Sequence, residues 1–517
     1  MPKQLTIKEY QNLYGIAEQN NIMVTVAQDG TGDYNGTDEV PIQAAINYLN
    51  SNGGGSVFIK KGNYNITNTI TLLTNVHIKG ENMGSVVLTK NASLESDVFV
   101  DNTDSIENFS LTDITIDINL SEKLGTIEGL NLSQTNSYFE IKNIKFLNGS
   151  QRCASISNCT HFLLENLNLY SYDCQESELD GIDINSCSKF KILNCYGETG
   201  DDLFAISSSN NYIINNLIRK NSEAGSTLKL NILTGADHFN VNASNIVNYS
   251  PNTVPAGSFV LQCNDPTKLG YNMNISNITN YGGYDAVKIQ DVSTVSPPAA
   301  PVFKNISISN VNHYDGGSAT LWINAPNIIE NSTFSNINSY GCVHGIKLNG
   351  GTDLVFNNVF IYGSSAYSIY INESTQDDIK NITFNNVENN SGVKIYVTTE
   401  YSADNYIIFN NVKTNATTGI DVLSTAYVVC SNWTIRNASS YGVNIRSGNN
   451  FVAKNFTFYN CASNLRVRPL QMDDCIFGSS APSSTPEYIG QKFIDYNNDK
   501  LYVATGTGSS ADWIILN

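Results

Sequence analysis

The chain has 517 residues and a mass of 56.6 kDa, too long for one conventional core, so it must form several domains or a repeat array that adds core step by step. A formal net charge of −18 and a sequence pI near 4.6 argue against nucleic acid and anionic membrane surfaces as partners, since the protein would repel both. No apolar run approaches the roughly 20 residues needed to cross a bilayer, and no apolar stretch follows the early lysines to make a signal peptide.

A short amphipathic helix is the first element that the sequence predicts. Residues 40–49 (VPIQAAINYL) place apolar side chains at helical spacing, and Pro41 lies near the first turn, where proline is tolerated. The open ends of a stacked sheet would pair with other strands, so repeat arrays need caps. We therefore assign residues 1–54 to an N-terminal segment that caps the array.

The central part of the chain repeats a short phrase: apolar, any residue, apolar, any residue, Asn, apolar. It reads FEIKNI at 139–144, FLLENL at 162–167 and FKILNC at 190–195. Successive copies are separated by roughly 21 to 33 residues, the length of one solenoid coil with variable loops. The asparagines of the phrase are Asn143, Asn166, Asn194, Asn216, Asn245, Asn277, Asn310, Asn336, Asn358, Asn386, Asn411, Asn432 and Asn455.

Each phrase is followed by a second alternating segment, such as GIDI at 181–184 or AVKI at 286–289. Alternation with period two predicts short strands with one face inward. Two or three strands per coil then stack into parallel sheets around a narrow apolar interior. The sequence therefore predicts an all-β chain with a parallel β-helix over residues 55–478. The recurrent Asn is expected at turns, where it tolerates left-handed conformations and can bond backbone groups of the next coil.

The pattern changes near the C-terminus. Residues 479–487 are rich in Ser and Pro and are expected to form a linker, whereas residues 488–517 alternate apolar and polar side chains and predict a small separate β module. The 10 cysteines are scattered, without a Cys-x-x-Cys pair and without histidines at metal-ligand spacing. No metal site and no cofactor are therefore expected.

Three features come together in residues 24–64: the loop DGTGD at 29–33, the predicted helix, and the segment GGGSVFI at 53–59. This arrangement resembles the start of the pectate-lyase-like β-helix superfamily, which includes polygalacturonases and phage tailspike depolymerases. The resemblance implies a right-handed parallel β-helix with an N-terminal capping helix. It implies less about function, because the same solenoid carries lyases, hydrolases, epimerases and inert fibres.

One pair of segments narrows the choice of function. DGIDI at 180–184 is followed one coil later by GDDLFAI at 200–206, and together they resemble the Asn-Thr-Asp-Gly and Gly-Asp-Asp motifs of polygalacturonase-type glycoside hydrolases. In the register that aligns their apolar residues, Asp180 lies beside Asp202 on adjacent coils about 4.8 Å apart. The carboxylates of Asp180, Asp201 and Asp202 then crowd one surface.

Crowded carboxylates suit glycoside hydrolysis with inversion, in which one carboxylic acid protonates the departing oxygen and another carboxylate activates a water. Repulsion between them favours a proton on one of them near neutral pH. The resemblance implies that Asp201 is the general acid and that Asp180 and Asp202 hold and deprotonate the water. The alternative is that all three are polar turn residues bounding strands, a common use of Asp.

The family's Gly-His-Gly and Arg-Ile-Lys motifs are absent from the following coils. Residues 223–229 contain no His, and residues 258–262 contain no cation. Lys229 and Lys288 on neighbouring coils could replace the missing cations, although the favoured interpretation of each is a solvated surface residue. The candidate substrate-binding residues are Asp183, Lys229, Gln262 and Lys288. These departures disfavour galacturonic acid and favour a neutral or differently charged glycan.

These features favour a polysaccharide-depolymerising glycoside hydrolase, tailspike-like, located on a virion or outside the cell and acting on a bacterial surface glycan. The segments YIGQKFID at 488–495 and LYVATG at 501–506 also resemble short modules that end phage fibre proteins. A homotrimer is expected, as similar tailspikes form, because a slender solenoid leaves long flanks to cover. The alternatives are a glycan-binding adhesin or fibre without catalysis, and a polysaccharide lyase, which needs a calcium cluster and a base.

Overall fold

The computed structural model describes residues 22–516 with several gaps. The gaps are residues 102–103, 120–126, 150, 172–178, 221–223, 234–235, 252–255, 294–299, 327, 373–378, 397–405, 424–426, 448–450, 462–464, 467–470, 473–474, 479–480, 487–490 and 496–499. The chain forms two compact units, Met1–Leu203 and Phe204–Asn517. In the described part of the chain, no helix has the length and apolarity that crossing a membrane requires.

The first unit is built from ladders of parallel strands. One ladder contains Met23–Ala27, Tyr34–Asn35, Gly55–Ile59, Gly62–Ile66, Val76–Gly80, Val86–Lys90, Glu107–Asp117, Ser137–Gly149, Thr160–Glu165, Asn168–Ser171 and Lys191–Glu198. The other contains Ile70–Thr71, Phe99–Val100, Leu130–Leu132, Arg152–Ser157 and Asp180–Asn185. Because pairing steps by one coil, the rings of Phe109, Phe139 and Phe162 stack at 4.8 Å, the ordinary distance between neighbouring strands.

The predicted capping helix is present as Glu39–Ser51 and packs against the first strands. Asp38 caps its N-terminus by accepting a backbone hydrogen bond, and the carboxylate of Glu39 accepts hydrogen bonds from Thr67 and Asn68. These bonds offset the penalty of burying a charge. The fully buried side chains of the helix are Ile42, Ala45, Ile46 and Leu49.

The glycine run that follows the helix has a steric cause. Gly55 has φ of +146°, and a Cβ atom there would lie 2.3 Å from the carbonyl oxygen of Ile22. A Cβ atom on Gly54, at φ of +108°, would lie 2.5 Å from the carbonyl oxygen of Asn75. Only glycine fits where the chain returns against the first strand.

The second unit repeats the same plan over more coils. Its first ladder contains Asn210–Lys220, His238–Tyr249, Gly270–Tyr281, Phe303–Tyr314, Ile329–Tyr340, Gly351–Tyr362, Ile379–Asn389, Tyr406–Asn415, Tyr427–Arg436, Phe451–Tyr459 and Gln471–Met472. Its second contains Phe204–Ser207, Gly225–Ile232, Ala256–Cys263, Asp285–Asp291, Ala319–Asn324, His344–Leu348, Ile369–Asn372, Val393–Tyr396, Thr418–Leu423, Tyr441–Ser447 and Leu465–Arg466.

The core of the second unit consists of apolar side chains aligned by this register. One inward column runs through Leu228, Phe259, Val287, Leu321 and Ile346, and none of the five is exposed. Each coil buries its side chains against the coil before and the coil after it. Stability is therefore the sum of many equivalent interfaces.

The recurrent asparagines adopt the left-handed conformation that the sequence predicts. All 13 have φ between 53° and 63°. The sequence led us to expect side-chain bonds to backbone groups of the next coil, whereas in eight of these asparagines the Nδ2 group donates to the side-chain Oδ1 of the preceding asparagine, at 2.7–3.1 Å. The pairs are Asn166 to Asn143, Asn277 to Asn245, Asn310 to Asn277, Asn336 to Asn310, Asn358 to Asn336, Asn386 to Asn358, Asn411 to Asn386 and Asn455 to Asn432.

The small C-terminal β module is also present. Cys475–Gly478 pairs parallel with Lys492–Asp495, which continues into an antiparallel sheet with Lys500–Ala504 and Trp513–Leu516. A 3-10 turn, Ser510–Asp512, precedes the last strand. The module has its own small core of Phe493, Tyr502, Ala504 and Trp513.

Candidate active site

Asp180 begins a strand of the second ladder of the first unit, Asp180–Asn185. Its backbone N–H donates to the carbonyl oxygen of Gln151 on the preceding coil, at 2.8 Å. A Cβ atom on the next residue, Gly181, would lie 2.3 Å from the carbonyl oxygen of Leu203. The glycine of this Asp-Gly pair therefore allows the following coil to approach Asp180 closely.

Asp201 and Asp202 lie in the turn after Lys191–Glu198, and backbone bonds join this turn to the strand of Asp180. The Asp201 N–H donates to the carbonyl oxygen of Leu179 at 3.1 Å, and the Gly181 N–H donates to that of Asp202 at 2.8 Å. The Asp202 N–H in turn donates to Oδ1 of Asp180 at 2.9 Å. Both backbone and side-chain bonds thus fix the two acidic segments against each other.

The structure brings the three predicted carboxylates together. Each of Asp180, Asp201 and Asp202 offers an oxygen, and these oxygens lie within 4.8 Å of one another. Asp180 and Asp201 are half-buried, so the cluster reaches solvent. Asp202 differs from the expected solvent-facing position because it is only 2% exposed. Two carboxylates therefore face the solvent and one lies behind them.

A cation that the sequence reasoning missed lies on the preceding coil. Arg152 is in register with Asp180. Its Nη1 lies 2.5 Å from Oδ2 of Asp183 and its Nε lies 3.3 Å from Oε1 of Glu128. The expected substrate-binding residue Asp183 is therefore already engaged with an arginine. Register alone could have found Arg152, because the segment QRCASI at 151–156 lies one coil before DGIDI.

Glu128 is a buried acid with a raised pKa in this neighbourhood. It is 3% exposed, and its burial raises the pKa of its carboxyl group to about 7, although the Ser155 hydroxyl and Arg152 act to lower the pKa. The Ser155 hydroxyl donates to Oε2 of Glu128. A carboxyl group that exchanges its proton near neutral pH thus lies one coil from Arg152 and two coils from Asp180.

The other three candidate substrate-binding residues belong to the second unit. Lys229 and Lys288 occupy the same position two coils apart, with Val260 between them. Gln262 accepts a hydrogen bond from Gln290 at 2.8 Å.

The cluster could also hold a cation. Three carboxylate oxygens within 4.8 Å are hard donors of the kind that calcium prefers. Calcium takes six to eight oxygens, so waters or a ligand would have to supply the remainder. The donor set fits such an ion without requiring it.

Two family models match the chain. Residues 24–249 match the model described as rhamnogalacturonase A/epimerase, pectate lyase-like, and residues 344–485 match the model described as right handed beta helix region. The first match includes the carboxylate cluster, Arg152 and Glu128.

Similarities to individual proteins are distant. A stretch of 112 residues is 31% identical to mannuronan C5-epimerase AlgE2 of Azotobacter vinelandii and spans 20% of this chain and 11% of that protein. The A-module of mannuronan C-5 epimerase AlgE4 from the same organism aligns over 84% of this chain and 96% of its own, with 12% identity and a TM-score of 0.37. The N-terminal fragment of bacteriophage phi29 gene product 12 aligns over 83% and 89%, with 12% identity and a TM-score of 0.45. At this distance the alignments carry no argument about function.

Proposed function

The chain is a right-handed parallel β-helix of the pectate-lyase-like superfamily, and from this premise we propose that it is a glycoside hydrolase that depolymerises a polysaccharide. The observation that carries the proposal is the cluster of Asp180, Asp201 and Asp202, whose oxygens lie within 4.8 Å of one another. The match to a rhamnogalacturonase and epimerase family over residues 24–249 supports a carbohydrate substrate.

In the proposed chemistry, each of the three carboxylates of the cluster has a role. Asp201 gives its proton to the glycosidic oxygen as the bond from that oxygen to the anomeric carbon breaks. Asp180 and Asp202 hold a water and accept its proton, while the remaining hydroxide forms the new bond to the anomeric carbon. Both sugar fragments leave with complete hydroxyl groups, so atoms and charge balance.

The spacing of the oxygens is compatible with a shared water. Hydrogen bonds of about 2.7 Å on each side allow one water to bridge two oxygens up to about 5.4 Å apart. The oxygens of Asp180 and Asp202 are closer than this, within 4.8 Å. The bond from the Asp202 N–H also fixes the orientation of the Asp180 carboxylate. Such a water would be held before the substrate arrives.

The same spacing makes the stereochemistry informative. Most inverting glycosidases separate acid and base by about 6.5–9.5 Å, and retaining enzymes by about 5–5.5 Å. The spacing here, within 4.8 Å, is below both ranges and nearer that of retaining enzymes. We propose inversion on a different ground, because Asp180 and Asp202 are placed to bind a water together. Proton NMR of the first product shows which anomer forms. Retention would instead mean that one of these carboxylates attacks the anomeric carbon itself.

We propose that the protein works outside a cell, as a tailspike-like component that cuts a bacterial surface glycan. The resemblance of residues 488–506 to modules that end phage fibre proteins supports this setting. A homotrimer is part of the proposal. Light scattering at micromolar concentration should then give about three times 56.6 kDa; a mass near 56.6 kDa would remove the trimer and leave the hydrolase proposal intact.

The experiment that tests the activity combines two assays on a panel of bacterial capsular and plant polysaccharides. Release of reducing ends without unsaturated products is expected of a hydrolase. Reducing ends together with unsaturated-product absorbance would indicate a lyase. Binding without either product would indicate an adhesin, the non-catalytic alternative.

The carboxylate cluster also favours one rival, a calcium-dependent lyase or epimerase. Such an enzyme needs a base to remove a proton next to a uronate carboxyl group. Arg152 is in register with Asp180 but is a poor base, because a guanidinium group keeps its proton. Its guanidinium group is also paired with Asp183 and Glu128. Activity that survives EDTA is therefore expected, and activity abolished by EDTA and restored by calcium would favour the rival.

A further inference from the structure

Lysine and aromatic side chains form a column along the second ladder of the second unit. The strand register aligns one position on seven consecutive coils. In chain order these residues are Lys229, Val260, Lys288, Trp322, Lys347, Tyr370 and Lys394. Four of these seven are cations, although the chain has 47 acidic and 29 basic residues. The same register continues on the next coil to Asp421, which is 6% exposed. The column is therefore a strip of positive charge on a strongly acidic protein.

Trp322 fixes two of these cations. The Nζ atom of Lys288 lies 5.0 Å from the indole centroid and that of Lys347 lies 4.2 Å from it. Lys288 is one coil before Trp322 and Lys347 one coil after, so the indole lies between two lysines in register. An aromatic face attracts a cation. The indole thus holds two charges apart by roughly two coil spacings, about 10 Å.

Further along the column, two aromatic rings contact one lysine. The Nζ atom of Lys394 lies 4.9 Å from the ring centroid of Tyr367 and 5.5 Å from that of Tyr370. Beside Trp322, burial and the charge of Lys288 lower the pKa of Lys347, while Asp285 acts to raise this pKa. Asp285 is itself 6% exposed. An added anion would offset the repulsion between the ammonium groups of Lys288 and Lys347.

Amide side chains line the neighbouring position of the same strands. They are Asn231, Gln262, Gln290, Asn324, Asn349 and Asn372. Gln290 donates to Gln262 at 2.8 Å and Asn349 to Asn324 at 3.3 Å. Within the described residues, the buried indole Nε1 of Trp322 has no hydrogen-bond partner. A ligand along this surface would meet cations on one side and amide donors and acceptors on the other.

We propose that this column binds an acidic polysaccharide, with carboxylate or sulfate groups on the ammonium groups of Lys288, Lys347 and Lys394 and sugar hydroxyls on the amides. Lys288 and Lys347 have the buried Asp285 as a nearby counter-charge. A neutral glycan would add none, whereas a repeating acidic chain supplies one every few ångströms. The inference deepens the proposed function by naming the charge of the glycan, and it rests on that function only in taking a glycan as the ligand.

The test measures binding to the full-length chain carrying Asp201→Asn, so that cleavage does not interfere. The probes are dextran, dextran sulfate and polygalacturonate, because the first two share one backbone and differ in charge, and the third carries carboxylates. Duplex DNA serves as a polyanion without pyranose hydroxyls. Dissociation constants are measured at two salt concentrations by isothermal titration calorimetry.

Two variants and one control separate the contributions of the lysine charges and of the indole ring to binding. Lys288→Gln with Lys347→Gln should weaken binding of the preferred acidic polymer at least 10-fold and flatten its salt dependence, since fewer counterions are released. Trp322→Leu keeps every cation, so it should weaken binding without changing the salt dependence. Lys413→Gln removes the same charge from an exposed position in the other ladder and should bind as the parent does.

The outcomes separate this inference from the hydrolase proposal. Tight binding of dextran sulfate or polygalacturonate, with no binding of dextran, supports the column, and the better of the two names the acid group. Equal binding of dextran and dextran sulfate, unchanged affinity in the double lysine variant, or DNA binding as tight as that of the acidic glycans would overturn it. Hydrolysis is assayed separately in the chain with Asp201, so either result stands when the other fails.

Discussion

The backbone N–H of Asp202 donates a 2.9 Å hydrogen bond to Oδ1 of Asp180, one coil away. An amide oxygen can accept the same bond, so Asp180→Asn keeps the geometry and removes only the charge, whereas Asp180→Ala removes both. We expect both variants to lose at least 100-fold in turnover. Only Asp180→Ala should also lose about 1–3 kcal/mol of stability, because the N–H loses its acceptor in a buried turn. Reducing-end assays and urea denaturation measure the two effects, and equal stability of both variants would contradict the structural role of the bond.

Asp201→Asn isolates the proposed general acid. General acid–base catalysis contributes roughly 10²–10⁴-fold, so turnover should fall by two or more orders of magnitude while glycan binding and Tm stay nearly unchanged. A purely structural cluster predicts the opposite result, because neutralising one of three crowded carboxylates relieves repulsion. An Asp201→Asn protein that is more stable and equally active would therefore reject the assignment and favour the adhesin.

The sequence predicted the meeting of Asp180 and Asp202 because parallel strands advance by one coil and the apolar residues of the two segments fix the register. It did not predict the burial of Asp202, which depends on how the turn folds back on residues 179–181. The sequence did not point to Arg152, because the residues that resemble the family motif lie on later coils. The left-handed conformation of the asparagines could be predicted from their spacing. The acceptor of each side-chain amide could not, because it depends on the distance between neighbouring coils, which the sequence does not show.

Arg152 neutralises two acids at once, and its loss should be measurable. Arg152→Met leaves Glu128 and Asp183 without their common cation. Because the Arg152 side chain is 24% exposed, we expect a loss of about 1–3 kcal/mol, below the roughly 3–5 kcal/mol of a fully buried pair. Adding Asp183→Asn to the Arg152→Met variant should restore part of the lost stability. The control Lys413→Met, whose exposed partner Glu388 is 3.9 Å away, should change stability by less than about 1 kcal/mol. Strictly additive effects of Arg152→Met and Asp183→Asn would show that the pair does not interact.

Glu128 predicts a pH dependence of stability. Its pKa rises from an ordinary 4.5 to about 7 in the folded chain, chiefly through burial. Between these values the folded chain keeps a proton that the unfolded chain has released, so stability should fall as pH rises from about 4.5 to about 7, by at most about 3 kcal/mol. Glu128→Gln should flatten this part of a Tm-against-pH curve. An unchanged slope in the variant would assign the dependence to other groups.

The asparagine ladder can be tested at a position with both neighbours described. Asn310 donates to Asn277 at 2.9 Å and accepts from Asn336 at 2.8 Å, with φ of 56°. Asn310→Ala loses both bonds and puts alanine, which tolerates the left-handed conformation less well than asparagine, at this φ, so about 2–4 kcal/mol should be lost. Asn310→Gly loses the bonds without the strain and should be less destabilised, by about 1 kcal/mol. Equal losses in the two variants, measured by urea denaturation, would mean that the backbone conformation contributes nothing.

The ladder also affects how the protein ages chemically. Deamidation of asparagine requires the backbone nitrogen of the next residue to reach the side-chain carbonyl carbon, which needs a freely rotating side chain. Asn310, bonded through both ends of its amide, cannot rotate without breaking two hydrogen bonds. We therefore expect such asparagines to outlast those at the surface of turns during long storage. A protein that must remain intact without being replaced would gain its durability from the same contacts that set the spacing of its coils.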